Sequence, residues 1–221
     1  MQKRKFIFGS YDTAAHGWTL APGWKLSDPE QKTNYVEKTG GDGSWDLSTA
    51  MTEGIPRYKD RSLTVTLECS TGTRASREEL ISEMVNQLDG FKWQIVSPDK
   101  PDHYLVGRLH VAVNYNDLAH AAVTVTGTCE PWLYSAQETV LTLNATSTKI
   151  KVMLSNNGRR AVVPTLTVTD SVLLEYGGDS LQLSTAGTYE WPALLLTPGN
   201  HLVNYSGSGT LTFTYREAVL R

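Results

Sequence analysis

The sequence predicts a mainly β chain with one α-helix. It splits into a β-sandwich-like N-terminal domain over residues 1–133 and an antiparallel β-sandwich over residues 139–221. Three observations carry this reading. From Ser62 the residues alternate, with Leu63, Val65, Leu67 and Cys69 on one side and Thr64, Thr66 and Glu68 on the other, the pattern of a strand with one buried face. A single stretch, near residues 76–89, has helical spacing instead. Beyond Ser135 the charge thins, and short Thr/Ser/Leu/Val runs recur between Gly- and Asn-containing turns.

Residues 1–37 read as short extended segments at Lys5–Phe8, Trp18–Leu20 and Asn34–Glu37, with Trp18 and Trp24 as core or interface aromatics. The stretch Thr39-Gly-Gly-Asp-Gly-Ser-Trp-Asp-Leu47 follows. Gly40, Gly41 and Gly43 tolerate positive φ, so the chain can reverse there. The spacing matches no phosphate-binding glycine motif, and a turn between strands is the simpler reading. Pro56 suits an irregular or edge position. Arg57 and Arg61 flank Tyr58, ready to pair with Asp46 or Asp60 at the strand entry.

Ser76 is a candidate N-cap and Glu79 its capping-box partner, giving a helix over Arg77–Asp89. Leu80, Ile81, Met84, Val85 and Leu88 form one apolar stripe, and Gly90 supplies the stop. The polar face lacks the Lys/Arg richness of a membrane-surface helix. Phe91–Val96 is a strand and Ser97–Asp102 a tight loop. His103–Asn114 and Ala119–Glu130 are two long strands around Tyr115–Leu118. In the first, Tyr104, Val106, Leu109, Val111 and Val113 carry the apolar side, and the break in alternation predicts a bulge near Gly107. In the second domain the predicted strands are Thr139–Leu143, Ile150–Leu154, Val163–Val168, Val172–Tyr176, Asp179–Leu183, Gly187–Trp191, Asn200–Ser206 and Thr210–Tyr215.

A length of 221 residues with 40% hydrophobic content supports packed cores. The formal charge of −3 argues against a nucleic-acid-coating role. The basic-then-apolar start, Met1-Gln-Lys-Arg-Lys-Phe-Ile-Phe8, is interrupted too soon for a signal peptide and reads as a first strand. No apolar run approaches the roughly 18 residues of a membrane span, so a chain that is cytoplasmic when made is the expectation. Cys69 and Cys129 are the only cysteines. Neighbouring strands would allow a disulfide between them; in a reducing compartment the expectation is two buried thiols.

The five histidines, His16, His103, His110, His120 and His201, are scattered without ligand spacing. There is no nucleophile elbow. Asp42 and Asp46 are near neighbours, but turn capping explains them more simply than a glycosidase pair. No catalytic, metal-binding or cofactor-binding residues are therefore assigned, and the expectation is a protein that is not an enzyme.

The order of these pieces is itself a pattern. A Gly-Gly-Asp-Gly-Ser-Trp-Asp-Leu turn precedes Tyr58-x-x-Arg61 and its strand. A helix ending in Gly90 comes next. Pro101-Asp-His-Tyr-Leu-Val-Gly-Arg-Leu109 follows, and a strand closes on Cys129-Glu-Pro-Trp132. This resembles the N-terminal domain of distal tail (Dit) proteins of long, non-contractile-tailed phages or prophages. The turn-rich sandwich after it resembles their C-terminal galectin-like domain. The resemblance implies a hexameric ring, built by N-terminal domains around a channel, that joins the tail tube protein to the tail-tip hub protein. Peripheral C-terminal domains would hold receptor-binding proteins or other baseplate parts, and the location would be the distal end of the virion tail. With no long apolar run and a charge of −3, neither a membrane nor a sequence-specific nucleic acid is expected as a partner. The alternative is a carbohydrate-binding β-sandwich module. Trp191, Tyr189, Tyr176 and Asn200 are its candidate residues, with His201 and Asn204 close by.

Overall fold

A computed structural model describes residues 4–114 and 120–221 of the chain; the predicted turn at Tyr115–Leu118 lies outside them. The chain divides into two compact units, Met1–Pro131 and Trp132–Arg221.

The first unit contains, in order, β1 (Ile7–Phe8), β2 (Tyr11–Asp12), β3 (Thr19–Leu20), β4 (Lys25–Leu26), β5 (Tyr35–Glu37), β6 (Ser44–Asp46), β7 (Arg61–Cys69), α1 (Arg74–Leu88), β8 (Lys92–Ser97), β9 (Lys100–Asn114) and β10 (Ala121–Cys129). Its main sheet is antiparallel, ordered β2-β1-β8-β9-β10-β7-β3, with β4 also on β7. Every second residue of the long central strands points into the core. Leu63, Val65 and Leu67 of β7, Val123 and Val125 of β10, and Leu105, Leu109 and Val111 of β9 are all buried. Helix α1 covers this face with Ile81, Met84 and Leu88.

The helix begins earlier than the capping-box reading places it. Thr73 is the N-cap; its hydroxyl accepts the Ser76 amide at 3.2 Å. Ser76 sits inside the first turn, with its own hydroxyl donating to the Thr73 carbonyl at 2.9 Å. Thr73 thus takes the amide that Ser76 would otherwise have left for a capping side chain. Gly90 does end the helix, with φ +78°. The loop at Ser97–Asp102 is also tighter than predicted: Ser97 pairs with Lys100, leaving Pro98 and Asp99 as the turn.

Gly107 carries no bulge. The β9–β10 register runs unbroken from Asn114 to Gly107, and Gly107 itself occupies an inward position opposite Cys129. The inward series is Leu105, Gly107, Leu109 and Val111, so Tyr104 and Val106 belong to the other side. A Cβ on Gly107 would lie 2.5 Å from the Cys129 sulfur and 3.0 Å from the Thr128 carbonyl oxygen. The glycine serves close approach of strands, not a register change. The irregularity falls nearer the start of β9, where the register with β8 shifts between Ile95 and Ser97.

Strands β7 and β10 are neighbours, but antiparallel pairing separates the thiols. Cys69 lies beside Ala121 and Cys129 beside Arg61, about 26 Å apart along the strand. Both are free and buried. Burial pushes the Cys129 thiol up to about 12.

The second unit contains β11 (Leu133–Ser135), β12 (Thr139–Asn144), β13 (Ile150–Asn156), β14 (Thr165–Val168), β15 (Val172–Tyr176), β16 (Asp179–Leu183), β17 (Gly187–Glu190), β18 (Gly199–Gly207), β19 (Thr210–Tyr215) and β20 (Ala218–Val219). Two antiparallel sheets, β12-β19-β14-β17 and β13-β18-β15-β16, close on a core that includes Leu166, Leu174, Leu194, Val203, Leu211 and Phe213. Residues Leu133 and Tyr134 fall in this unit, where β11 pairs with β20. The division between the two units falls at Pro131/Trp132. The unit has its own apolar core and its termini pair with each other. Residues 132–221 expressed alone are therefore expected to give a cooperatively melting β protein. A fragment with random-coil circular dichroism would show that this core depends on the first unit.

Candidate assembly surface

The glycine stretch forms the tip of a two-stranded ribbon. Tyr35 pairs with Asp46, Val36 with Trp45 and Glu37 with Ser44. Gly40 and Gly43 adopt φ +75° and +76° at the reversal. The Lys38 amide donates to the Gly43 carbonyl at 3.2 Å, closing the turn. At the base, the Leu47 amide donates to Asn34, the Lys32 amide to Arg57 and the Lys59 amide to Glu30. The ribbon is thus tied to the segment leading into β7.

Every residue from Gln31 to Leu47 is exposed. Directly opposed residues share a face, so Val36 and Trp45 lie on one side of the ribbon. Leu47 and Lys38, each two residues further along a strand, join them. The Lys38 ammonium sits 4.9 Å from the Trp45 ring centre. Trp45 is 60% exposed, Val36 45% and Leu47 41%, with Tyr35 at 61% on the opposite face and Met51 at 97% nearby. Single exposed apolar residues are ordinary; a cluster on one projecting element marks an interaction site.

Of the two aspartates in this stretch, Asp46 makes a local turn contact. The Asp46 carboxylate accepts the Ser48 amide at 2.9 Å, and hydrogen bonds from the Ser48 side chain and amide hold its carboxyl below the usual range. Asp42 sits exposed at the tip. Arg61 is buried, and its Nε donates to the Ser27 carbonyl at 2.7 Å.

The histidines are spread through the molecule. His16 stacks on Tyr11 with ring centres 4.0 Å apart, and its Nε2 is 3.4 Å from Glu83. His110 Nδ1 is 2.8 Å from Asp89. His103 lies partly buried on β9, and His120 is exposed. Among the described residues, no group of three or more His, Cys, Asp or Glu is placed to hold a metal ion.

The candidate saccharide residues divide between two sheets. Trp191 is 9% exposed and belongs to the sandwich core. Tyr189 is on β17, where its hydroxyl bonds to Thr185 at 2.8 Å. Tyr176 is on the other sheet, 2.7 Å from His201 Nδ1. Asn200 accepts from Ser155 at 2.8 Å, and Asn204 lies on the same strand as His201. No stacking face is assembled from these rings.

The ribbon was the feature that sequence reasoning missed as a surface. The signal available was Gly-rich turn chemistry flanked by strands too short to bury both faces.

No protein-family model matches the chain, and no curated protein matches it. Solved structures do match. The crystal structure of the SPP1 Dit protein (gp 19.1), described as a paradigm of the hub adsorption apparatus in Gram-positive-infecting phages, superposes with a TM-score of 0.69. The identity is 16%, and the match covers 97% of this chain and 99% of that one. A de novo designed double-stranded β-helix is similar to 37% of this chain, covering 97% of its own length at 15% identity, with a TM-score of only 0.25. Over nearly its whole length, the chain has the fold of the SPP1 Dit protein.

Proposed function

We propose that the chain is a structural, non-catalytic component of a phage or prophage tail tip. Copies of it form a closed ring between the tail tube protein and the tail-tip hub protein. The observation that carries this reading is the end-to-end agreement of fold with a Dit protein. The exposed apolar ribbon supports it from the molecule's own chemistry, since closed cyclic symmetry gives every such surface a neighbour. In this reading residues 1–131 make the ring and residues 132–221 lie at its periphery, where adhesion proteins would attach. Six copies is the number that the family resemblance implies. Assembly from small units is concentration-dependent, so a monomer in dilute solution does not decide the question.

Imaging the particle does. Antibodies raised against this chain are expected to label the tail end distal to the capsid, and one ring of six copies is expected to fit the reconstructed density there. Label on the capsid, or on no part of the tail, would overturn the proposal.

A further inference from the structure

We propose that the outward face of the β9–β10–β7 sheet is a binding site for a phosphate oxyanion. The inference stands apart from the ring reading. The inward face of these strands is apolar and covered by α1; the outward face is not covered within the unit. Strand register sets what lies on it. Arg108 pairs with Thr128, and Thr128 with Ser62. In the next outward row His110 pairs with Thr126, and Thr126 with Thr64. These six side chains alternate with the buried series, and they line a cleft of about 480 Å³ floored by Gly127.

The chemistry of the cleft is that of an anion cradle. Neighbouring strands lie about 4.8 Å apart, so four hydroxyl groups stand in a two-by-two array beside a guanidinium. Hydroxyls can donate, and a phosphate accepts from several directions at once. One terminal nitrogen of Arg108 donates to the carbonyl of Gly90, which also lines the cleft. Its remaining N–H groups are available for an acceptor. Lys25 and Lys92 extend the two rows at opposite sides: Lys25 is in register with Thr64 and Lys92 with Arg108. Lys92 is paired with Glu130 at 2.6 Å.

One carboxylate borders the cleft. Asp89 opposes an anion, but its Oδ1 already accepts the Val111 amide at 2.9 Å and faces His110 Nδ1 at 2.8 Å. Those contacts, the amide first, hold its carboxyl below the usual range. Its charge is thereby turned toward its own partners. Thr126 also donates to the His110 carbonyl at 3.4 Å, a weak bond that an acceptor in the cleft can displace.

The test is an amide-shift titration of the full chain by NMR at constant ionic strength, adding inorganic phosphate against chloride. A dialkyl phosphate in a parallel arm separates a free phosphate from a phosphodiester. Shifts are expected at Ser62, Arg108, His110, Thr126 and Thr128, saturating with phosphate and not with chloride. Arg108→Gln is expected to weaken binding at least about tenfold. Because Arg108 also holds Gly90, Thr128→Val provides a second variant that leaves that bond intact; it is expected to weaken binding severalfold. Thr167→Ala, in the second unit, is expected to change nothing. Shifts equal in chloride, shifts spread over all basic residues, or unchanged binding in both cleft variants would overturn the proposal.

Discussion

Leu88→Asp is expected to unfold the first unit at temperatures where the native chain is intact. Leu88 is 1% exposed and lies on the covered face of α1 with Ile81 and Met84. Truncating such a residue typically costs about 2–5 kcal/mol. An unpaired carboxylate in the same place costs at least as much, because no donor in the apolar contact replaces water. A domain's whole stability is about 5–15 kcal/mol, so this one change consumes much of it. Scanning calorimetry should show the first unit's transition lost or lowered by tens of degrees, at roughly 2–8 °C per kcal/mol. Asn86→Asp, two residues away on the exposed side of the helix, should change stability by only about 0.5 kcal/mol. An unchanged transition in the Leu88 variant would mean that the stripe faces solvent.

The helix shows how far sequence patterns carry. Its stripe and its Gly90 stop were legible because both rest on local spacing. Its start was not, because Thr73 and Ser76 are both competent caps, and the choice depends on which hydroxyl meets which amide. The eight sandwich strands were legible because alternation and turn residues agree. The short pairings at Tyr11–Asp12, Lys25–Leu26 and Ala218–Val219 were not. Two residues carry no period, and their partners are distant in sequence. Gly107 was misread because an inward glycine interrupts an apolar series just as a bulge does; only the partner strand, bringing Cys129 against it, distinguishes the two. The surfaces were the least legible part. Trp45 and Leu47 look the same in sequence whether they face a core or water, and sequence does not say that their ribbon has no layer above it.

That uncovered ribbon gives the second large expected effect. In the ring reading, Val36, Trp45 and Leu47 enter a neighbouring copy. Buried tryptophan is among the residues most often found at interface hot spots, and losing a hot spot typically costs about 2–4 kcal/mol. In affinity that is roughly 30- to 1000-fold per contact. Val36→Asp with Trp45→Asp removes the apolar side of one registered pair and places two like charges directly opposite each other. Neither residue supports the core of its own chain, since the ribbon is exposed from Gln31 to Leu47. The variant should therefore melt where the native chain does but fail to assemble. Sedimentation of both proteins across a wide concentration range, with and without the tail tube protein, separates the two effects. The expected result is native-like melting with the ring species absent. A variant that assembles as readily as the native chain would place the subunit contact elsewhere on residues 1–131. A variant that melts early would show that the ribbon supports its own unit, and its exposed tryptophan would need a different explanation.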